Sequence, residues 1–453
     1  MSHASPVDFG PDADLPLSYQ ARRGLEQCPA FSASLQIRTD QGSRIFAGLR
    51  RDALELYDEA DHQVLYDLEG RVIRLGTPNR YLFRGLSGLG HSATKRPRAA
   101  GGGFARERLS AAQVDELGEF AWRLASLALA GSRQPTHARP DADQARRTIA
   151  PALARAAACS PEQLRRDAER FGAIYRPVAI LPPDQYSALV LQGTEGCSFN
   201  TCTFCGLYRS IPFRIRSAAE FETHLAEVLA FHGAGLWRRT SVFLDQANAL
   251  AVPQDRLLEL FEVLRRQLEL PGPEVDAPPP SWVRAHPLRF AGVASFVDGF
   301  TGQLKRAEDY AQLRKMGLRR VYLGVESGSA ELLRWLRKPA DPAEMREAIH
   351  RIRQAGLHAD VILLVGAGGE RFAEMHVRES IQFLQTAGLQ RGDRVHLSDL
   401  VDHPHLPYAA HCREAGIAAL GPEALARQNR DFARASRSLG LQPVPYRIEP
   451  FVY

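Results

Sequence analysis

The sequence has few cysteines, no long apolar run and little net charge. Only 6 of its 453 residues are cysteine, and the formal net charge of +5 permits contact with nucleic acid without indicating it. No run approaches the roughly 18 apolar residues expected of a membrane span. The first residues, MSHASPVDFGPDAD, are acidic where a secretory leader would be basic and then apolar. We therefore expect a cytoplasmic protein, in which thiols stay reduced.

Three of the six cysteines are crowded into one short segment. Cys197, Cys202 and Cys205 stand within nine residues, in TEGCSFNTCTFCGLY at 194–208, without a second C-x2-C pair. The other three are scattered: Cys28, Cys159 and Cys412. Structural zinc sites normally have four protein ligands, and catalytic zinc sites usually include His or a carboxylate.

Iron–sulfur clusters offer a second interpretation of this segment. They are held by cysteines, normally four, so three thiolates would leave one iron of a cubane cluster open to another ligand. A third alternative is buried cysteines that act as small apolar side chains. The Ser, Thr, Gly and Asn residues of the segment argue against that alternative, because an apolar strand would lack them.

From about residue 186, short apolar runs alternate with amphipathic helices. The runs are SALVLQG, TSVFLDQ, RFAGVASF, RVYLGVES, ADVILLVGAGG and RVHLSDL. Apolar strands that are each followed by a helix indicate a parallel sheet covered on both faces. The sequence thus predicts an α/β fold with a partial six-stranded parallel (β/α)6 barrel, and an open doubly wound sheet is the less favoured alternative. In such folds the site lies at the C-terminal ends of the strands, and the cysteine segment directly follows the first run.

The N-terminal part has a different pattern. Residues 31–90 mix β-branched and aromatic residues with turn-forming Asp, Gly and Asn, which favours strands. We expect four regions: a β-rich accessory domain at 1–100, a helical linker region at 101–180, the partial barrel at 181–410 and a C-terminal extension at 411–453. The accessory domain is expected to cover the open side of the barrel. Four of its residues suggest an alternative role in binding RNA or substrate by stacking and phosphate contact: Arg80, Tyr81, Phe83 and Arg84.

Over residues 186–400 the chain resembles the radical S-adenosylmethionine (SAM) enzymes. The resemblance rests on the cysteine segment and on motifs at the ends of later strands; four residues, SFNT, separate the first two cysteines where the common pattern has three. It implies that Cys197, Cys202 and Cys205 are catalytic and bind a [4Fe–4S] cluster, whose fourth iron is chelated by the amino and carboxylate groups of S-adenosylmethionine. It further implies reductive cleavage to a 5′-deoxyadenosyl radical that abstracts hydrogen from a substrate. The electron donor would be of the flavodoxin or ferredoxin type.

The resemblance also implies a set of cofactor-binding residues near the strand ends: Phe204, Asp245, Asn248, Ser295, Glu326, Ser327, Gly366 and Gly368. Phe204 would pack against the adenine, Asp245 would accept the methionine amino group, and Glu326 would accept ribose hydroxyls. The alternatives are that Asp245 caps a turn and that Glu326 caps a helix. The glycines do not complete a G-x-G-x-x-G dinucleotide fingerprint, because its third position falls on Arg371.

The remaining motifs indicate which kind of radical SAM enzyme the chain resembles. The scattered cysteines cannot hold a second cluster, and no D-x-H-x-x-G cobalamin motif is found. The loop LSDLVDHPHLPY carries four residues that could bind substrate or transfer protons: Asp399, Asp402, His403 and His405. We therefore expect a single-cluster radical SAM enzyme that acts on a small molecule. The alternatives are an RNA- or tRNA-modifying member of the same superfamily and a non-catalytic, zinc-stabilised binding protein.

Overall fold

The computed structural model describes residues 31–95, 104–300, 305–401, 403, 406–446 and 453, which fall into two units. The first unit contains the described residues before 178, together with 229–238 and residue 453. The second contains 178–228 and the described residues from 239 to 446. Nothing in the described part of the chain is a helix both long and apolar enough to cross a membrane.

The first unit is built on an antiparallel sheet. Its strands are β1 (Ala33–Arg38), β2 (Arg44–Leu49), β3 (Leu54–Tyr57), β4 (Gln63–Tyr66), β5 (Val72–Gly76), β6 (Arg80–Arg84), β7 (Gly90–Lys95), β8 (Phe104–Arg108) and β9 (His137–Arg139). The order across the sheet is β8-β7-β6-β5-β4-β3-β2-β1-β9. β8 and β9 lie in the stretch for which the sequence suggested a helical linker. β9 is only three residues long, and it joins the sheet by pairing with β1.

Three helices accompany this sheet: α1 (Ala111–Gly131), α2 (Ala142–Ala158) and α3 (Pro161–Ile174). Each begins at a residue whose side chain accepts a backbone hydrogen bond, namely Ser110, Asp141 and Ser160. The shared core places β-strand residues such as Leu35 against helical residues such as Leu117. Arg84, suggested for RNA or substrate binding, is buried and donates to Leu164 O at 2.6 Å, so its guanidinium is not available at the surface.

The second unit alternates strands and helices. Its strands are β10 (Ala188–Gln192), β11 (Thr194–Glu195), β12 (Arg214–Ile215), β13 (Ser241–Asp245), β14 (Val293–Asp298), β15 (Leu318–Glu326), β16 (His358–Val365), β17 (Arg394–Asp399) and β18 (Gln442–Tyr446). Its helices are α4 (Ala218–His232, which ends in the first unit), α5 (Gln254–Gln267), α6 (Pro280–Val283), α7 (Ala307–Lys315), α8 (Ala330–Trp335), α9 (Pro342–Gln354), α10 (Gly369–Thr386), α11 (Pro407–Glu414) and α12 (Pro422–Ser438).

The predicted α/β fold with a parallel sheet is confirmed, but the predicted number of strands is wrong. The sheet has seven parallel strands in the order β10-β13-β14-β15-β16-β17-β18. The seventh, β18, lies in the stretch predicted to be a C-terminal extension. Its Pro443 and Pro445 lack backbone N–H groups and disfavour a strand. The chain accommodates them because β18 is an edge strand that pairs only with β17 within the described residues.

The strand register decides which side chains share a face of this sheet. Because successive side chains point to opposite faces, the pairings Gln192↔Asp245, Leu364↔Ser398 and Ser398↔Tyr446 place these residues side by side within their strand pairs. We call the face that carries Asp245, Asp298, Ser398 and Tyr446 the inner face. The opposite face, with Leu397 and Asp399, is covered by α12.

Candidate active site

The cysteine segment forms a loop at the C-terminal end of β10. The short β11–β12 hairpin closes this loop, with Thr194 paired to Ile215. Gly196 has φ +73°, and a Cβ there would lie 2.5 Å from Ile211 O, so only glycine fits this turn. The Gly196 N–H donates to Gln246 Oε1 at 2.6 Å, which ties the loop to the end of β13.

Hydrogen bonds made by the chain itself fix the course of the loop. The Arg209 guanidinium donates to Cys205 O at 2.9 Å and to Cys202 O at 2.7 Å. Thr203 donates its N–H and its hydroxyl to Leu336 O, at 3.0 and 3.1 Å. The backbone N–H of Asn200 points at Cys197 Sγ, 3.4 Å away. The loop is therefore organised around its three sulfur atoms by protein contacts alone.

The three thiols are half-buried, and burial makes their ionisation unfavourable. Burial raises the pKa of Cys202 to about 12 and also raises that of Cys205, although the charge of Lys338 opposes both shifts. A bound metal reverses this balance, because a thiol that coordinates a metal loses its proton. The loop thus presents sulfur ligands that need a cation to become thiolates.

The spacing of the sulfurs fits a cluster better than a single ion. In the described part of the chain, Asp184, Asp360 and His396 bring three ligand atoms within 4.8 Å of one another, and the cysteines do not form such a group. Two sulfurs bound to one zinc stand at most about 4.6 Å apart, because each Zn–S bond is about 2.3 Å. Thiolates that bind different irons of one cluster can stand farther apart, because each is bonded to its own metal atom. Three cysteine sulfurs on one loop that do not converge on a single point suit a [4Fe–4S] cluster better than one zinc ion.

Asp245 ends β13 on the inner face and is fully buried. Its carboxylate has no cationic partner among the described residues, and its neighbour in the strand register is the Gln192 side chain. Burial raises the pKa of this acid to about 7, and the nearby Gln192 side chain lowers it only in part. The turn-capping alternative needs a bond to a backbone N–H, which Asp245 does not make within the described residues. A cationic group brought to this position would supply the missing partner.

Asn248 contacts the cysteine loop, whereas the Ser295 side chain points away from it. The Asn248 amide donates to Asp298 Oδ2 and to Ser198 Oγ (3.3 Å), and it accepts from the Asp298 N–H at 2.9 Å. It therefore links the cysteine loop to the end of β14. Ser295 pairs with Leu244 in the sheet register, points away from the inner face, and donates its hydroxyl to Leu244 O at 2.7 Å. The structure does not bring the Ser295 side chain to the cysteine loop.

Glu326 ends β15 in a left-handed conformation, with φ +60°. Its carboxylate accepts from Lys338 Nζ at 2.9 Å, and the two side chains are only 13% and 8% exposed. The helix-capping alternative is not supported, because Ser329 is the N-cap of α8 and accepts from Leu332 N. Glu326 is therefore held in an ion pair beside the cysteine loop.

Lys338 is a site residue that the sequence did not reveal. Burial lowers the pKa of its ammonium, but the negative charge of Glu326 and the hydrogen bond to that carboxylate oppose burial, and the pKa is raised. Lys338 thus stays charged between a carboxylate and a cysteine of the loop. The segment LRKPADP gives no signal for this role, since a lysine beside proline in a loop is typical of solvated surface.

The predicted adenine-backing residues contact protein in the described part of the chain. Gly366 and Gly368 have φ +86° and +77° and form the turn from β16 into α10. Their N–H groups donate to Gln428 Oε1 at 2.7 Å and to Tyr408 OH at 2.9 Å. Phe204 is half-buried against an apolar cluster that includes Tyr408. Their roles towards a nucleoside remain predictions.

Further polar atoms on or near the inner face are buried without a partner among the described residues. They are Ser398 Oγ, Tyr446 OH, His396 Nδ1 and Tyr208 OH. Burial raises the pKa of both tyrosines well above the usual range, with contributions from Asp245 to each. Both phenols therefore stay protonated and neutral, and both can donate a hydrogen bond.

The group of Asp184, Asp360 and His396 resembles a metal site, but its charges are already balanced. Asp360 is paired with Arg320, and Asp184 with Arg394. His396 Nε2 lies 3.2 Å from Asp360 Oδ2. A cation would have to displace the two arginines from their carboxylates. We therefore interpret this group as a network of ion pairs between the strands and not as a metal site.

The structure describes only part of the loop after β17. Asp399 accepts from Asn429 Nδ2 on α12 at 3.0 Å, so it points away from the inner face. His403 is described, whereas Asp402 and His405 lie outside the described residues, as does Cys28. Their proposed roles in substrate binding or proton transfer remain predictions.

One protein-family model matches part of the chain. Residues 191–383 match the family model described as the Radical SAM superfamily. No curated protein matches the chain. Among solved structures, coproporphyrinogen III oxidase from Escherichia coli, described as a radical SAM enzyme, is 14% identical, with a TM-score of 0.39 over 60% of this chain and 56% of that chain.

Two further solved structures show similarly distant likeness. SuiB from Streptococcus suis, bound to S-adenosylmethionine, is 12% identical, with a TM-score of 0.35 over 82% of this chain and 72% of that chain. Elp3 from Methanocaldococcus infernus is 12% identical, with a TM-score of 0.36 over 57% of this chain and 56% of that chain. The chain spans little more than half the length of the first and third of these proteins, and likeness at this level carries no argument about activity.

Proposed function

We propose that the chain, whose residues 191–383 match the Radical SAM superfamily model, is a radical SAM enzyme that cleaves S-adenosylmethionine reductively at a single [4Fe–4S] cluster bound by Cys197, Cys202 and Cys205. The observation that carries this proposal is a convergence at one edge of the parallel sheet. There, three sulfur ligands, the acid Asp245 without a cationic partner, and the buried pair of Lys338 and Glu326 come together.

The side chains around the loop complement the amino-acid end of S-adenosylmethionine. Asp245 is a buried acid that lacks a cationic partner, so it suits the ammonium group. Lys338 is a buried cation beside Cys202 and suits the carboxylate, while Glu326 can accept ribose hydroxyls once its bond to Lys338 is shared. When bound, the cluster supplies the electron that cleaves the sulfonium and gives the 5′-deoxyadenosyl radical that abstracts hydrogen from the substrate. That electron must come from a one-electron donor of the flavodoxin or ferredoxin type.

The inner face suggests where a small substrate binds. Ser398 and Tyr446 are neighbours across β17 and β18, and each has a buried polar atom without a protein partner in the described chain. Leaving such groups unpaired is costly, so a ligand or water satisfies them. Both side chains are uncharged hydrogen-bonding groups, and the ion-pair network of Asp184 and Asp360 is already neutral. We expect an uncharged, hydrogen-bonding small molecule there, and RNA as substrate is not favoured.

The experiment that tests the proposal is anaerobic reconstitution with iron and sulfide. Dithionite and S-adenosylmethionine are then added, and 5′-deoxyadenosine is measured by liquid chromatography. The wild-type chain should bind iron and form the product, and Cys202→Ala should lose both. Cys159→Ala is the matched control, since this thiol donates to Glu69 O in the first unit and should leave both unchanged. Product formation by Cys202→Ala, or binding of zinc but no iron by the wild-type chain, would contradict the proposal.

A further inference from the structure

The turn that carries Glu326 needs an external support. Glu326 has φ +60°, a left-handed conformation that residues with a side chain seldom adopt unless the surroundings hold it. Three residues follow it, Ser327, Gly328 and Ser329, before α8 begins. The conformation of Glu326 therefore depends on what fixes these three residues.

His376 on α10 lies at the centre of the contacts that fix them. Its Nδ1 is 2.9 Å from Ser327 Oγ and 3.1 Å from Ser380 Oγ. The two hydroxyls in turn accept backbone N–H groups of the turn, from Ser329 to Ser327 Oγ at 3.0 Å and from Gly328 to Ser380 Oγ at 2.8 Å. Each hydroxyl oxygen thus accepts a hydrogen bond from a backbone N–H of the turn and donates its own O–H to His376 Nδ1.

The tautomer of His376 follows from its other contact. Nε2 lies 3.0 Å from Leu364 O on β16, and a carbonyl oxygen can only accept, so Nε2 carries the hydrogen. Nδ1 is then the acceptor, and the two hydroxyls share its single lone pair. His376 is fully buried, and burial lowers its pKa to about 4, so the ring is neutral near physiological pH and this arrangement persists.

Close packing reinforces the hydrogen bonds. A Cβ on Gly328 would stand 2.3 Å from Glu379 O and 2.7 Å from the Cα of Ser380. The backbone of the turn therefore lies directly on α10, with no room for a side chain between them. Since α10 also follows β16 after a turn of three residues, one helix connects two strand ends of the site.

We propose that His376 is a positioning residue for Glu326. By accepting the Ser327 and Ser380 hydroxyls, it holds the 327–329 turn against α10 and so directs the Glu326 carboxylate towards Lys338. This inference rests on the proposed function where it concerns S-adenosylmethionine, because Glu326 is then a ligand of that cofactor. The His376 ring bonds to Ser327, Ser380 and Leu364 and not to the cysteine loop, whereas α10 shares an apolar cluster with Phe204 through Phe372. The hydrogen bonds of His376 therefore reach the cofactor site through the turn that carries Glu326.

Two substitutions test the roles of the two nitrogen atoms of His376 separately. His376→Asn keeps an acceptor near the Nδ1 position and loses the donor to Leu364, whereas His376→Gln keeps the donor and loses the acceptor. The measurements are iron content after reconstitution and equilibrium dialysis of S-adenosylmethionine. We expect full iron content in both variants, about tenfold weaker binding or more for His376→Gln, and binding within about threefold of wild type for His376→Asn. Equal loss in both variants, or wild-type binding by His376→Gln, would overturn the proposal.

A crystal structure of His376→Gln tests the same idea without the cofactor. Glu326 should move to negative φ, and its carboxylate should lie more than 4 Å from Lys338 Nζ, against 2.9 Å in the wild-type chain. If His376→Gln does not fold, Ser327→Ala breaks the same chain of bonds and should move Glu326 in the same way. An unchanged Glu326 in the folded variant refutes the positioning role. Failure of the wild-type chain to bind S-adenosylmethionine would instead refute the proposed function and leave this structural result to stand by itself.

Discussion

Replacing Asp245 by Asn should stabilise the cofactor-free chain while weakening cofactor binding. Asp245 is fully buried, and its pKa is raised from 3.8 to about 7 mainly by burial. In the unfolded chain the Asp245 carboxyl group loses its proton above its ordinary pKa of 3.8, whereas in the folded chain it keeps the proton until about pH 7. Between these values the unfolded state binds fewer protons, so wild-type stability falls as pH rises and levels off above 7.

The size of this effect follows from the shift. From about pH 5 to about pH 8 the wild-type chain should lose about 2 to 3 kcal/mol of unfolding free energy relative to Asp245→Asn. The cost of burying an Asn amide does not depend on pH, so it cancels when the difference between the two proteins is compared at two pH values. Urea unfolding of the cluster-free wild type and variant at both pH values measures that difference.

Asp298→Asn provides the matched control at the end of the neighbouring strand. Its carboxylate already accepts from the Asn248 amide and from Phe300 N at 3.0 Å, so the substitution removes an occupied acceptor and should lower stability. In reconstituted protein, Asp245→Asn should also bind S-adenosylmethionine at least about tenfold more weakly, because a buried carboxylate no longer meets the ammonium group. A stability difference that is the same at both pH values, with unchanged binding, would refute this account of Asp245.

Three further substitutions test the buried polar contacts. Lys338→Met should lower the unfolding free energy by about 3 to 5 kcal/mol by leaving Glu326 unpaired, and Glu326→Gln in the same chain should restore part of it; no recovery in urea unfolding would contradict this pairing. Arg71→Met should destabilise the first unit by a similar amount, about 3 to 5 kcal/mol, because its guanidinium binds Asp167 at 2.7 Å and Phe231 O at 2.7 Å. Arg165→Ala, which breaks an exposed pair with Asp115, is its control and should change thermal unfolding little. Tyr446→Phe should keep the unfolding free energy within about 1 kcal/mol of wild type, because its hydroxyl has no protein partner in the described chain; a larger loss would reveal a partner.

The order of strands and the place of the cysteine loop could be predicted because both have strong local signals. Apolar runs followed by amphipathic helices identify parallel strands, and the loop follows the first run directly. β18 was missed because Pro443 and Pro445 are incompatible with an interior strand and only its edge position admits them. Ser295 was assigned to the correct strand, but sequence does not fix the register. A shift of one residue in strand register decides whether a side chain points to the inner face or to the helices on the opposite face.

Lys338 and His376 escaped prediction for a different reason. Each acts through a residue that is distant in sequence, Lys338 through Glu326 and His376 through Ser327. A single sequence shows periodicity and short motifs, and neither pattern marks a lone lysine before a proline or a histidine within an amphipathic helix. Only the fold brings α10 against the turn after β15. The residues that support a site are therefore harder to find from sequence than the residues that form it.

The charges around the cysteine loop are arranged in a way that stability alone does not explain. Asp245, a fully buried acid without a cationic partner, destabilises the chain near neutral pH. The buried pair of Lys338 and Glu326 contributes little net stability, because removing two ions from water costs about as much as their attraction returns. A zwitterion could place its ammonium at Asp245 and its carboxylate at Lys338, whose ammonium has further hydrogens to donate beside the one that binds Glu326. Such a ligand would compensate both costs together, so the most unfavourable electrostatic features of the cofactor-free chain are the ones that an amino-acid cofactor would relieve.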